Sequence, residues 1–180
     1  ALTNYLITQP EIIAQWHPSA QSFSDELNLD SSAHLYELHT VTDLLELQRL
    51  WQQGNDLAPT LNQSVQLPNW GRDSPLRTGI LAPSLTTDAL LSALHASRVF
   101  ATNHLNLSVI LNSDHNWMGE TVAEAGPLTL SVFANDVQQG SITLTVYDQN
   151  IPIDTIVVTP PYQWDVSITS RVGHYYWVQA

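Results

Sequence analysis

Up to about Thr102 the apolar residues gather in helix-spaced stripes and short runs, and beyond it they alternate with polar ones. In ALTNYLITQPEIIAQW the spacing predicts a helix from about Pro10, with Glu11 where the helix dipole favours an acid, and then a short strand ending near His17. SAQSFSDELNLDSSAH has no sustained period and reads as a loop; LYELHT reads as a brief strand. A helix then starts with Thr42 as cap and Asp43 in its first turn. Leu44, Leu45, Leu47, Leu50 and Trp51 form its apolar stripe, and Gly54 ends it. Residues 85–98 repeat the device, with Thr86 or Thr87 as cap, Asp88 on the dipole and Leu90, Leu91, Ala93 and Leu94 as stripe. The irregular reach between them, 55–83, is long enough to line a site or an interface.

Past Thr102 the period is two. LNLSVIL, PLTLSVFA, SITLTVYD, DTIVVTP, YQWDVSIT and HYYWVQA read as strands separated by Asn, Asp and Gly turns. Leu128, Leu130 and Val132 point one way and Thr129, Ser131 and Phe133 the other. Likewise Ile142, Leu144 and Val146 alternate with Thr143, Thr145 and Tyr147. One apolar face per strand over six strands predicts a small antiparallel sandwich. The expected organisation is an α/β part over 1–102 followed by a β-sandwich over 103–180.

Composition narrows the chemistry. The 180 residues are 43% hydrophobic, enough to fill a core, and contain no Cys, which removes disulfides and thiolate metal sites. Seventeen acids face five arginines, with no Lys, for a formal charge of −12. Such a surface repels phosphate backbones and anionic lipid, so neither nucleic acid nor a polybasic membrane contact is expected. No apolar run reaches 18 residues, so no membrane span is expected, and the Asn-, Gln-, Ser- and Thr-rich polarity suits a secreted or periplasmic protein.

Seven histidines show neither His-x-His nor His-x-x-x-His spacing, and none lies in an HExxH helix. His17 stands apart, because Pro18 holds it extended at the end of a strand, where an imidazole nitrogen can reach a metal; the competing reading is an ordinary loop His. Asp25 with Glu26, and Asp43 with Glu46, have the residue types of an acid and base, but such pairs more commonly face solvent or trim a helix start. No nucleophile elbow or phosphate-gripping glycine loop occurs, so no catalytic residue is assigned. Tyr175, Tyr176 and Trp177, in the last strand, are candidate binding residues for a glycan or another surface, against the alternative of core packing.

The runs WQQGNDLAPT, NWG, RTGILAPSLTTDALLSALHASRVFAT and LNLSVILNSDHNWMG, with TQPEIIAQWHPSAQSF upstream, carry a family likeness. Together they resemble the carboxyl-terminal half of secreted CehA/McbA-like members of the PHP (polymerase and histidinol phosphatase) metallohydrolase superfamily. The resemblance implies part of a distorted (β/α)7 barrel, divalent manganese, zinc or iron, and phosphoester hydrolysis, with His17 matching the family's ligand before Pro. Ser64 and Gln66 stand where the family carries an acid and an imidazole, and a hydroxyl and a carboxamide hold a catalytic ion poorly. The early ligand-bearing strands have no counterpart. The resemblance therefore implies a subunit or fragment without its own metal centre, in a structural role, its barrel completed by a second polypeptide or the rest of a precursor. A phosphoesterase completed by that partner and a glycan-binding module are the alternatives.

Overall fold

Leu35, Tyr36 and Glu37 are consecutive and all buried, which requires a strand covered on both faces. They belong to β2 (Ala33–Glu37), the middle strand of a three-stranded parallel sheet between β1 (Ala14–Trp16) and β3 (Ala58–Thr60). The computed structural model describes residues 12–17, 33–62, 74–114, 116–123, 125–138 and 140–180. These divide into two units, Ala1–Asn103 and His104–Ala180.

In the first unit, each face of the parallel sheet has its own apolar cover. Tyr36 packs with Leu47 and Leu50 of α1 (Val41–Gln52) and with Leu57, while Leu35 packs with Ala58, Val99, Ile13 and Leu94. The helix cap is Thr40, two residues earlier than Thr42. Thr40 Oγ1 accepts from the Asp43 amide and Asp43 Oδ2 accepts from the Thr40 amide, a reciprocal box that leaves Thr42 inside the first turn. Gly54, at φ +85°, follows the helix end, a conformation that suits a residue without Cβ. Thr86 caps α2 (Thr87–His95), whose Leu94 reaches the Leu35 cluster. Two strands lie in the stretch expected to be irregular, β3 and β4 (Arg77–Ile80), and β4 pairs antiparallel with β5 (Val99–Thr102).

This arrangement overturns the barrel expectation. Among the described residues the chain is a mixed α/β structure with just two helices and open sheets. A three-stranded parallel sheet and a separate antiparallel pair do not make part of a closed (β/α)7 wall. With no incomplete barrel, the completing second chain or precursor segment also falls away. The helix expected from Pro10 does not extend over residues 12–16, which are irregular and then strand, β1 starting at Ala14. Pro10 itself, the loop before Ala33, Asp25, Glu26, Ser64 and Gln66 lie outside the described residues.

In the second unit, alternation sets the strands. β6 (Leu107–Ser113), β7 (Asn116–Trp117), β8 (Gly126–Asp136) and β11 (Tyr162–Ser170) form one open sheet, in the order β11-β8-β6-β7. β9 (Ile142–Asp148), β10 (Ile151–Val158) and β12 (Tyr176–Gln179) form the other, in the order β10-β9-β12. Leu128, Leu130, Val132 and Ala134 of β8 share one core with Leu144 and Val146 of β9, Val158 and Val166. All pairing in these sheets is antiparallel.

Candidate functional site

In the first unit, the parallel sheet brings three strand ends to one edge. Trp16 pairs with Tyr36, so the residue after each, His17 and Glu37, arrives at the same level. In an extended strand, side chains two apart share a face, which places Gln15 and His17 of one chain segment beside Glu37 and His39 of the next. His17 Nε2 lies 3.5 Å from Glu37 Oε2, and His39 Nε2 lies 3.4 Å from Glu37 Oε1. The imidazole centroids are 4.8 Å apart, with planes at 51°.

The surrounding bonds fix this group. Gln15 Nε2 donates to Glu37 Oε2 at 3.0 Å, and the His39 amide donates to Asp43 Oδ2 at 2.8 Å, tying His39 to the cap of α1. The Glu37 side chain is only 6% exposed, whereas those of His17 and His39 are 60% and 30% exposed. A buried carboxylate is costly unless its oxygens are satisfied, and here a carboxamide and two imidazoles surround it.

One ligand atom from each of His17, Glu37 and His39 lies within 4.8 Å of the others. Ligands held about 2.0–2.1 Å from a tetrahedral ion sit about 3.3 Å apart, so small side-chain rotations bring these three to a single ion. Two imidazoles and a carboxylate are donors of the right chemistry, and the cluster can coordinate a divalent metal. The sequence singled out His17 alone. Glu37 and His39 were missed, although Glu-x-His at the end of a strand puts both on one face.

In the second unit, the three terminal aromatics separate. Tyr176 packs against the core, its hydroxyl oxygen accepting from the Arg171 amide at 3.2 Å, and burial pushes its phenol pKa up. Trp177 lies on the opposite face of β12, where it pairs with Tyr147 of β9, and the two rings stack with centroids 4.2 Å apart and planes within 10°. Across β9, Tyr147 pairs with Pro152, so one row of this face reads Pro152, Tyr147, Trp177. The next row is Thr155, Thr145, Gln179. Trp177 Nε1 donates to Gln149 O at 2.6 Å, Tyr147 donates to Gln179 Oε1 at 3.3 Å, and Tyr175 donates to Asn150 Oδ1 at 2.8 Å. The structure thus adds Tyr147 to the aromatic residues expected from the sequence. Its partnership with Trp177 depends on strand register, which no local pattern specifies.

The chain matches no protein-family model, no curated protein and no solved structure. With the barrel missing as well, identification as a PHP metallohydrolase, active or degenerate, does not stand. No helix among the described residues is long and apolar enough to cross a membrane.

Proposed function

We propose that the second unit is a surface-binding module for neutral glycans, working through the outward face built on Tyr147 and Trp177 with Tyr175 beside it. The stacked pair is the observation that carries this reading. Apolar rings on a solvent-side sheet face present area that sugar C–H groups cover well, and Thr145, Thr155 and Gln179 supply hydroxyl and amide partners in the next row. The indole N–H is engaged with Gln149 O, so the ring contributes contact area rather than a hydrogen bond. A net charge of −12 without Lys favours an uncharged ligand over a polyanion. Such a role fits a secreted or periplasmic setting. Pull-down on insoluble neutral polysaccharides tests it: retention that falls in Trp177→Ala and Tyr147→Ala, but not in Tyr176→Phe, supports the reading. Equal retention of all four proteins, or none by the wild type, contradicts it.

For the first unit we infer a divalent-metal role, on the convergence of His17, Glu37 and His39. The imidazole and carboxylate donors suit zinc, manganese or iron. Elemental analysis after mild purification, compared with Glu37→Gln, measures it: metal retained by the wild type and lost in the variant supports the reading, and equal content refutes it.

A further inference from the structure

Resting on the metal reading above, we propose that an ion at His17, Glu37 and His39 keeps a coordination position open to solvent and takes a small monoanion there.

Three features of the cluster lead to this. The donor count comes first: among the described residues only these three His, Cys, Asp or Glu side chains converge, one donor short of a closed tetrahedral site. Sites with three protein ligands hold water or an exogenous ligand in the remaining position. Exposure then decides where that position faces. Glu37 forms a buried floor, 6% exposed, while His17 at 60% and His39 at 30% stand at the rim, so the uncovered side of the ion faces outward. The supporting bonds orient the floor, since Gln15 donates to Glu37 and Asp43 accepts from the His39 backbone amide.

Charge gives the ligand class. Metal-bound imidazoles are neutral and the carboxylate carries −1, so a divalent ion in this set keeps a formal charge of about +1. In a chain with seventeen acids, five arginines and no Lys, that is a local attraction for one negative charge. The site lies beyond the carboxyl ends of β1 and β2, the edge of a parallel sheet at which ligands are commonly received.

The test loads the full chain with cobalt(II) and follows its visible absorption bands during titration with acetohydroxamate and with azide. A saturable change in the bands, reversed by dilution of the anion and abolished when zinc displaces the cobalt, supports the open position. Cobalt bound with bands indifferent to both anions overturns the inference and leaves the metal reading intact. Failure of the wild-type chain to bind cobalt or zinc, measured by calorimetry, refutes the metal reading itself and this inference with it.

Discussion

Trp177 and Tyr147 face each other across paired strands with ring centroids 4.2 Å apart, and the Trp177 indole also donates to the backbone of Gln149 in the adjoining turn. Gln149 has φ +55°, an uncommon conformation for a residue with a side chain, so the indole secures a turn as well as offering contact area. Substitution therefore has two separable effects. Trp177→Phe keeps an aromatic surface and loses the N–H bond; it is expected to lower stability by about 1 kcal/mol while keeping most polysaccharide affinity. Trp177→Ala removes both and is expected to weaken binding roughly thirtyfold, about 2 kcal/mol. Affinity electrophoresis together with urea unfolding separates the two effects.

Glu37 is the carboxylate that both imidazoles of the candidate metal site approach, and Gln15 donates to it. Glu37→Gln is expected to abolish zinc binding in calorimetry. Gln15→Ala leaves all three donors present and is expected to weaken binding by about 10–100-fold. If Gln15→Ala has no effect, the carboxamide does not orient the carboxylate.

Asp43 belongs to two structures at once. Its carboxylate accepts from the Thr40 amide in the helix box and from the His39 amide beside the cluster. Thr40→Ala is expected to destabilise the fold by about 1 kcal/mol through the lost cap. Asp43→Ala is expected to destabilise it by a similar amount and also to reduce zinc affinity several-fold. Calorimetry under conditions where both variants remain folded measures the difference.

Tyr36 is 1% exposed, and its burial, reinforced by the carboxylates of Asp43 and Glu46, pushes its phenol pKa up to about 12. In the unfolded chain a tyrosine titrates near pH 10. Because the folded value is the higher one, the stabilisation is fully present below pH 10 and is lost as pH rises from about 10 through about 12. The loss from this group amounts to about 2–3 kcal/mol. Urea unfolding across this window is expected to show a steep fall in wild-type stability and a shallower one in Tyr36→Phe.

The second unit's strands were legible because Leu128, Leu130 and Val132, and Leu144 and Val146, alternate with polar residues, a pattern that survives in the buried core. What the alternation left open was the partner of each strand, and hence the meeting of Tyr147 with Trp177. In the first unit, the extended geometry before Pro18 marked His17 as a strand-end residue, and β1 does end at Trp16. Glu37 stayed hidden because its use depends on the parallel register of β1 and β2, set by packing on both sheet faces. The resemblance misled for a related reason. The stretch from Arg77 to Thr102 builds a strand, a capped helix and a second strand, but those local signals do not say how the strands pair, and here they pair antiparallel in an open sheet.

Fluorine NMR of protein carrying fluorotryptophan tests the glycan-binding face most directly. The chain has six tryptophans, and the Trp177 resonance is assigned by its disappearance in Trp177→Phe. On titration with a neutral oligosaccharide drawn from a polysaccharide that retains the protein, this resonance is expected to move saturably while the others stay in place. A Trp177 signal that stays fixed while oligosaccharide binds, or that moves no more than the other tryptophans, contradicts the account.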